Sequence, residues 1–280
     1  MFGYADDTQL VISAPTLDEL KEKIERSISA AEVWYNKNNM KINPTKTEIV
    51  IFNSKKQNNE IQIQVPHSLK IITPKPYIKI LGVHIDSSLN FVKHINLLKR
   101  RTMNTTRNLH RINDLIPIEK RLILYNALVS VQWNYCDVIY NGCNAKSKKS
   151  LQIVQNFAAR SMTGNKKHDS ATKSLQKLKL LNLDQRRSIH ESVFIHKIMH
   201  KGIPKNLHEQ YQHHFLKSNT RASIQRKMKI PKHRTSKFKK SPLYRTIKSW
   251  NETPEDIPKD NIKLHKGILQ KRLIQETYPE

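Results

Sequence analysis

The first 88 residues combine short β-favouring runs with one long stretch of helical period. The helical stretch extends from residue 17 to about residue 38, and a capping box at residues 16–19 precedes it. Its apolar positions fall three and four residues apart, at Leu17, Leu20, Ile24, Ile28 and Ala31. An apolar stripe of this kind needs a sheet to cover it.

Runs rich in β-branched and aromatic residues predict that sheet. Residues 1–4 and 8–12 flank Ala5-Asp6-Asp7, which predicts a tight hairpin with both acids at its tip. Further strands are expected at residues 40–42, 48–52, 61–65 and 77–85, with a turn at 44–47. We therefore expect an α+β fold with an antiparallel sheet for residues 1–88.

From residue 89 onward the apolar period changes to 3.6, which predicts a mainly helical second part. The expected helices cover residues 90–111, 118–131, 147–163, 184–200 and 259–275. Asp184 is expected to cap one of these helices, and Gly164 and Gly202 are expected to end two of them. Residues 217–241 are basic with few apolar positions, and we expect a mobile segment there.

Charge separates the same two parts of the chain. The 280 residues carry a formal net charge of +27. Residues 1–88 hold 11 Lys and Arg against 10 Asp and Glu, whereas residues 89–280 hold 39 against 13. Such an excess repels itself, and binding to a polyanion relieves the repulsion. Nucleic acid is the favoured partner, and an anionic membrane surface is the alternative.

Composition excludes several classes of protein. The six glycines are too widely spaced for a dinucleotide-binding or phosphate-binding loop. Two cysteines, Cys136 and Cys143, cannot form a disulfide framework or a cysteine-rich zinc site, which indicates a reducing compartment. No apolar run approaches the length of a membrane span. We expect a soluble intracellular protein of the nucleus, the cytoplasm or both, without a membrane partner.

Two adjacent acids at a hairpin tip repel each other. Asp6 and Asp7 are therefore either an ordinary solvated turn or the ligands of a cation. Mg²⁺ takes oxygen ligands and keeps positions for water and substrate phosphates, which suits carboxylates at a rigid strand end. Tyr4 and the small Ala5 beside them allow a nucleic-acid backbone to approach.

Three segments resemble consecutive motifs of reverse transcriptases. Residues 2–10, Phe-Gly-Tyr-Ala-Asp-Asp-Thr-Gln-Leu, resemble the Tyr-Ala-Asp-Asp palm motif of non-LTR, LINE-like retrotransposons. Residues 40–48 resemble the following palm motif with its Lys-Thr-Glu, and residues 79–86 resemble the primer-grip strand and turn. The three motifs occur in the order and at the spacing of that family.

The resemblance continues through the basic part of the chain. Stretches similar to the post-palm region of the jockey and CR1-like branch are residues 124–129, 134–136, 151–160, 186–190, 202–204 and 250–254. The resemblance implies a partial polymerase palm with primer grip at 1–88 and a helical thumb-like region at 89–165. A basic helical C-terminal region would follow at 166–280.

The resemblance also implies roles for individual residues. Asp6 would bind the catalytic Mg²⁺ ions, with Mn²⁺ as the alternative ion, and Asp7 would support it. Lys46 would donate a proton to the leaving pyrophosphate, the alternative being a solvated turn lysine. Leu81 and Gly82 would present backbone to the primer 3′ end, the alternative for Gly82 being a β-bulge. The residues expected to contact nucleic acid are Tyr4, Lys99, Arg100, Arg101, Arg107 and Arg111.

The expected partners follow from the family: an RNA template with a DNA primer, or an RNA–DNA hybrid. Family members bind their metals with three acids, one of them upstream of the Asp-Asp hairpin. Because this sequence starts at the hairpin, we expect a truncated chain that cannot polymerise alone. Nucleotide triphosphates would bind only in a complete enzyme, and a complementing N-terminal polymerase fragment is the expected partner. An exposed sheet edge and an apolar patch are expected where that fragment is missing.

Several other residues of the sequence allow two interpretations each. His196 and His200, with His190, have zinc-compatible spacing but also fit a packed helix face. Cys136 and Cys143 are expected to be small packed side chains. Three aromatic residues are expected in the core, and the alternative is that they stack on bases. They are Trp133, Tyr135 and Tyr140. Residues 226–240 could bind phosphates or act as a nuclear import signal.

Two functions from different classes remain in competition. The first is a fragment of an RNA-directed DNA polymerase that performs two-metal nucleotidyl transfer in its complete form. The second is a non-catalytic, basic RNA-binding or DNA-binding module derived from such an element. A related intron-encoded or telomeric polymerase is a third hypothesis, and residues 46–48 and 250–251 favour the retrotransposon branch over it. If about six phosphates are neutralised, the affinity should fall with salt at a logarithmic slope of roughly −5.

Overall fold

The structure is a computed structural model that describes residues 1–52, 62–64, 71–215, 227–254, 257 and 261–279. The chain separates into two compact units, Met1–Leu89 and Asn90–Glu280. The first unit combines paired antiparallel strands with a long helix, and the second is built from helices. The α+β fold class is therefore confirmed, whereas the division at residue 165 stays a prediction.

The first unit contains three hairpins and one helix among its described residues. Each pair of strands is antiparallel and forms a separate two-stranded sheet: β1–β2, β3–β4 and β5–β6. The elements are β1 (Phe2–Tyr4), β2 (Asp7–Gln9), α1 (Leu17–Lys37), β3 (Ile63–Gln64), β4 (Ile71–Ile72), β5 (Tyr77–Ile80) and β6 (Val83–Asp86).

The core of the first unit lies between α1 and the β3–β4 hairpin. Ile24 and Ile28 of α1 pack against Ile63 and Ile72, and all four side chains are buried. The helix begins where the sequence predicts, because the Thr16 hydroxyl accepts a hydrogen bond from the backbone N–H of Glu19. The apolar stripe of α1 is thus covered by strands, as its spacing requires.

The prediction of one antiparallel sheet is wrong for the described residues, whose strands form three separate pairs. Residues 40–42 and 48–52 are not strands, and the Ile49 carbonyl of the second run accepts a backbone hydrogen bond from the Lys75 N–H at 2.7 Å. The predicted strand at 77–85 is a hairpin that turns at Leu81-Gly82. Of the strand predicted at 61–65, residues 61 and 65 lie outside the described residues. A β-favouring run becomes a strand only where a partner strand supplies its hydrogen bonds.

The second unit consists of helices of very different length. They are α2 (Val92–Ile112), α3 (Ile118–Leu124), α4 (Val131–Asn134), α5 (Asp137–Tyr140), α6 (Ala145–Thr163), α7 (Ala171–Lys177), α8 (Leu183–Lys201), α9 (Lys205–Gln212), α10 (Ser236–Lys239), α11 (Pro242–Glu252) and α12 (Ile262–Thr277). A 3-10 turn (Asn113–Leu115) follows α2, and a π-helical turn (Tyr125–Ser130) joins α3 to α4.

Two sets of helix contacts form the core of the second unit. In the first set, the apolar face of α2 packs on α6. The buried side-chain amide of Asn113, which directly follows α2, donates to the Ser161 carbonyl of α6 at 2.9 Å. Helix α8 packs on α11 and α12, with Ile195 and Trp250 in the shared cluster. Helix α6 also contacts α7 and α8, which connects the two sets.

The five predicted helices are all present, with changes at their ends. Gly164 and Gly202 end α6 and α8 in the left-handed conformation, as expected. Asp184 does not cap α8. The cap is Asn182, whose side chain accepts from the Gln185 N–H while the Gln185 side chain bonds back to the Asn182 backbone. The predicted helix 118–131 is interrupted by the π-helical turn. The helices that the apolar period did not predict are α4, α5, α7, α9, α10 and α11.

The basic stretch at 217–241 is described only in part, because residues 216–226 lie outside the described residues. Its described part is joined to the rest of the second unit by two bonds: the Met228 N–H donates to the Asn251 side chain and the Lys229 N–H donates to the His214 carbonyl. None of the helices in the described part of the chain combines the length and the apolar character that a membrane span needs.

Candidate functional site

The two adjacent acids lie at the tip of the β1–β2 hairpin. Tyr4 pairs with Asp7 across the strands, so Ala5 and Asp6 form a two-residue loop. Ala5 has a φ of 51°, and short hairpin loops require such a left-handed residue. Asp6 and Asp7 are both exposed, and their carboxylates form no hydrogen bond or ion pair with other described residues. The hairpin therefore offers two neighbouring carboxylates to solvent.

The surface around this tip is apolar and aromatic. Tyr4 and Phe2, both on β1, keep more than half of their side-chain surface exposed, at 65% and 54%. The Thr8 hydroxyl is hydrogen-bonded to the Tyr35 hydroxyl of α1, which fastens β2 to the helix. Aromatic side chains in this position can pack against a nucleic-acid sugar or base beside the carboxylates.

The carboxylates fit Mg²⁺ in chemical kind, because this ion binds hard oxygen ligands and uses few protein groups. Within the described ranges, no set of three or more His, Cys, Asp or Glu side chains converges to hold a metal ion. The pair can thus act as part of a site whose other oxygen ligands come from elsewhere.

Lys46 lies in a tight turn organised by Asn43. The Asn43 side chain accepts from the backbone N–H of Thr45 at 2.9 Å, and the Asn43 carbonyl accepts from the Lys46 N–H at 3.1 Å. Such turns are typical of Asn and fix the backbone locally. The Lys46 side chain is exposed and contacts neither acid of the hairpin through a hydrogen bond or ion pair.

Leu81 and Gly82 form the two-residue turn of the β5–β6 hairpin. Both have positive φ, at 44° and 85°, the combination that a primed hairpin turn requires. Positive φ is unusual for leucine, so the flanking pairs Ile80–Val83 and Lys79–His84 hold the turn in shape. Gly82 belongs to this turn and not to a β-bulge.

A cleft of about 370 Å³ lies beside the same hairpin. The rings of Tyr77 and His84 meet edge to face at 6.0 Å, and Lys75 pairs with Glu48 at 2.6 Å on its wall. Lys79 also lines the cleft. These residues combine aromatic and cationic groups, and sequence reasoning missed them because their strand alternation gives no sign of a concave surface.

Helix α2 brings most of the predicted basic residues onto one exposed face. At 100° per residue, Arg100, Arg107 and Arg111 point within about 40° of one another. All three are exposed, as are Asn96 and Asn104 on the same face. Together they form a stripe of Arg and Asn side chains, which is suited to contacts with phosphate and sugar oxygens.

The other two predicted residues of α2 lie off this stripe. Arg101 is exposed on its flank, and Lys99 is half-buried towards the packed side of the helix. The packed side consists of Ile95, Leu98 and Thr102, which are all buried. The asparagines of the stripe were missed by sequence reasoning, although the absence of any acid in α2 is a signal that could have drawn attention to the whole face.

Many residues of the post-palm resemblance are structural. Arg186 donates to the Ser130 hydroxyl at 2.7 Å, and the His190 Nδ1 atom lies 2.5 Å from an Asp137 carboxylate oxygen. Trp250 is buried, and the Asn251 amide donates to the Met228 carbonyl at 2.8 Å. These stretches therefore describe the packing of the second unit and not a reactive centre.

The histidines with zinc-compatible spacing are part of an aromatic stack. The His196 ring lies 4.4 Å from the Trp250 ring and 4.1 Å from the His265 ring, measured between centroids. His200 is further away, at 6.2 Å from His196. Since no metal-binding group of three is found among the described residues, the packed helix face is the interpretation that the geometry supports.

The cysteines and aromatic residues have mixed outcomes. Trp133 and Tyr140 are buried as predicted, but Tyr135 is exposed and the prediction that it belongs to the core is wrong. The reason is that Tyr135 ends α4 with an extended backbone, which turns it away from the packed side.

Burial raises the pKa of both Cys136 and Cys143, so neither thiol is activated.

Comparisons with known proteins agree with the motifs. "Probable RNA-directed DNA polymerase from transposon BS" of Drosophila melanogaster is 27% identical over 195 residues, which cover 68% of this chain and 21% of that protein. "Probable RNA-directed DNA polymerase from transposon X-element" of the same organism is 22% identical over 171 residues, covering 58% of this chain and 18% of that protein.

The chain thus spans about a fifth of the length of the curated relatives it matches. No family model and no solved structure matches it. The two transposon polymerases support the resemblance to reverse transcriptases at the level of the family. The chain is similar to a segment of these two RNA-directed DNA polymerases, or reverse transcriptases, from non-LTR transposons.

Proposed function

We propose that this chain supplies part of the catalytic centre and part of the nucleic-acid surface of an RNA-directed DNA polymerase. The observation that carries the proposal is the pair of exposed carboxylates of Asp6 and Asp7 on a rigid hairpin tip, in a chain related to transposon polymerases. The substrates would be an RNA template, a DNA primer and, in the complete enzyme, deoxynucleoside triphosphates.

Asp6 and Asp7 are the residues that would hold Mg²⁺, or Mn²⁺ in its place. When bound, the ions would neutralise charge on the reacting phosphate and lower the barrier to nucleotidyl transfer. The hairpin backbone fixes where the two carboxylates stand, because the strand pairs on either side of the loop leave it little freedom. A third acid, which family members carry on a strand upstream of the Asp-Asp hairpin, would complete the site.

Two further elements of the first unit have proposed roles. The exposed ammonium group of Lys46 would donate a proton to the leaving pyrophosphate, an effect of about 10²–10⁴-fold for a well-placed acid. The Leu81-Gly82 turn would hold the primer 3′ end against its backbone, since Gly82 carries no side chain at the approach.

The Arg and Asn stripe of α2 would bind sugar-phosphate backbone. Lys and Arg contacts to phosphate release counterions and provide affinity without sequence preference. The packed side of α2 is held on α6, so the stripe is presented on a rigid element. This part of the proposal does not depend on catalysis.

The experiment is primer extension with the chain alone and with an added N-terminal polymerase segment from a related transposon. We expect no template-dependent incorporation by the chain alone in Mg²⁺, because two carboxylates are too few to hold the ions. With the added segment we expect incorporation, and Asp6→Ala should reduce it by at least about 10³-fold.

The matched control is Asp114→Ala, which removes an exposed acid from the second unit without touching the hairpin. It should leave reconstituted incorporation unchanged. Robust extension by the unassisted chain would contradict the proposal that it supplies only part of the catalytic centre, and so would full activity of the Asp6→Ala variant after reconstitution.

A non-catalytic nucleic-acid-binding module is the second candidate, and the exposed stripe of α2 favours it. Under this function, Asp6→Ala leaves RNA affinity untouched and no added segment restores incorporation. Reconstituted polymerase activity therefore separates the two candidates, because RNA binding by the second unit is expected under both.

A further inference from the structure

The helical unit has a second basic surface in residues 229–240, which we call the basic platform. It contains six Lys and Arg residues and no acid. All six of these cationic side chains are exposed: Lys229, Lys232, Arg234, Lys237, Lys239 and Lys240. The sequence predicts charge here, but it does not predict whether the backbone is fixed.

The backbone of the basic platform is fastened at both ends. At its start, the Lys229 N–H donates to the His214 carbonyl at 2.6 Å, and Asn251 bonds to both the N–H and the carbonyl of Met228 at 2.8 Å. At its end, the Lys240 carbonyl accepts from the Arg245 guanidinium. The platform is thus a shaped part of the folded surface.

Its middle is ordered as well. The Thr235 hydroxyl accepts from the Phe238 N–H at 3.2 Å and caps the short helix α10. The His233 ring meets the buried Tyr244 ring edge to face at 5.1 Å. These contacts fix the backbone from which the exposed cationic side chains project.

In the part of the chain that the structure describes, acidic side chains leave the charge of the basic platform unpaired. No ion pair of the described residues involves any of its six cations. Neighbouring cations differ: Arg245 pairs with Glu191 at 2.7 Å and Lys248 pairs with Glu252 at 3.5 Å. Uncompensated cations at fixed positions raise the local positive potential and attract a polyanion.

We infer that the basic platform binds the sugar-phosphate backbone of nucleic acid, as a contact separate from the stripe of α2. The inference deepens the nucleic-acid part of the proposed function and does not depend on catalysis. Phe238 is 36% exposed within the platform and can stack on an unpaired base. The chemistry therefore fits single-stranded RNA or DNA, read without sequence preference.

Two other partners fit less well. A membrane-binding surface needs a substantial apolar face, but only Ile230 and Phe238 are exposed apolar residues here, and α10 has four residues. A nuclear import signal is bound as a free extended segment, whereas this backbone is tied to the fold at both ends. The test below distinguishes both of these partners from nucleic acid.

The test compares two variants of the full chain with equal loss of charge. The platform variant is K232Q/R234Q/K237Q/K239Q, and the matched control is K166Q/K167Q/K173Q/K177Q, whose four lysines are also exposed and lie in and before α7. Binding to a 20-nucleotide poly(U) RNA and to the DNA strand of the same length is measured by fluorescence anisotropy over a range of KCl concentrations.

We expect the platform variant to lose about 3 units of logarithmic salt slope and roughly 100-fold in affinity at 0.1 M salt, taking about 0.7 per lost phosphate contact on a single strand. The matched control should change the slope by less than about 1. Thermal melting by circular dichroism should show both variants folded, because all substituted side chains are exposed.

Equal weakening of both variants would overturn the inference, since net charge alone would then account for binding. Unchanged RNA and DNA affinity in the platform variant would overturn it in favour of a protein partner. Binding of anionic vesicles that competes with RNA and is lost in the platform variant would overturn it in favour of a membrane. A third variant, R100Q/R107Q/R111Q, reports on α2 separately, so failure of either surface can be told from failure of the other.

Discussion

Gly142 shows how one residue without a side chain permits a close contact in the second unit. A Cβ atom at this position would lie 2.3 Å from the Lys240 carbonyl oxygen and 2.7 Å from an Arg245 guanidinium nitrogen. The Lys240 carbonyl is held in place by its own hydrogen bond from Arg245. The backbone at 240 therefore cannot retreat without breaking that bond.

We expect Gly142→Ala to lower the free energy of unfolding by about 2–3 kcal/mol, because overpacking forces backbone to move. The measurement is urea unfolding followed by circular dichroism. Gly267→Ala is the matched control, since nothing lies within 4 Å of that position in α12. Alanine there should stabilise the helix by up to about 1 kcal/mol. Equal stability of the two variants would contradict the contact at Gly142.

Tyr125 makes the stability of the second unit sensitive to alkaline pH. Burial raises the pKa of Tyr125 to about 12 from its ordinary value of 10. Between these values the unfolded chain loses the phenolic proton and the folded chain keeps it. Stability is therefore unaffected below pH 10, falls as the pH rises from 10 towards 12, and levels off above that.

The decline due to Tyr125 should approach about 1.4 kcal/mol per pH unit within this window. Tyr125→Phe removes the ionisable group, so its stability should fall less steeply than that of the unchanged chain between pH 10 and 12. Urea unfolding at pH 9, 10, 11 and 12 measures the difference. Some decline should persist in the variant, because burial also raises the pKa of Tyr140 and Tyr211. Parallel curves for the two proteins would contradict the prediction.

At the level of single elements, α2 combines two faces with separate tasks. Its buried face, with Ile95, Leu98 and Thr102, packs on α6, and its exposed face carries the Arg and Asn stripe. Because the faces do not overlap, binding can be changed without unfolding the helix. This separation makes α2 suitable for a direct test.

Substituting Arg100, Arg107 and Arg111 by Gln should reduce the logarithmic salt slope for duplex binding by about 3, at roughly 0.9 per phosphate contact. The melting temperature should stay within a few degrees of that of the unchanged chain, since all three side chains are exposed. Substituting the half-buried Lys99 by Gln is the control and should change the slope by less than about 0.5. A slope unaffected by the triple variant would remove α2 from the nucleic-acid surface.

The elements of the first unit were harder to predict than those of the second. Helix α1 and the β1–β2 hairpin were predictable, because each depends on residues close together in the sequence. The runs at 40–42 and 48–52 have strand composition but are not assigned as strands in the described part of the chain, since strand formation depends on a partner that local sequence does not specify. Val11 and Phe2 are exposed apolar residues of this unit, and the apolar patch expected where an upstream fragment would pack stays a prediction.

At the scale of the whole molecule, the chain consists of two units with different charge. The first is nearly neutral, and the second holds almost all of the positive charge. This distribution assigns the proposed chemistry to the first unit and the proposed phosphate binding to the second. The two tasks can therefore be tested by substitutions in separate parts of the chain.

The sequence by itself determined the five predicted helices in outline, the glycine ends of two of them, the hairpin with its two acids and the resemblance to transposon polymerases. These features depend on the spacing of a few neighbouring residues or on motifs in a fixed order, and both can be recognised in the amino-acid sequence. The basic residues of α2 were also predictable, because helical periodicity places positions 100, 107 and 111 on one face.

Only the tertiary structure decided which groups meet across long sequence distances. It separated three hairpins where one sheet was expected, exposed Tyr135, stacked His196 on Trp250, and fixed the basic platform by bonds to His214 and Asn251. The physical reason is that residues far apart in the chain bury one another and complete one another's hydrogen bonds. The local periodicity of the sequence does not identify those partners.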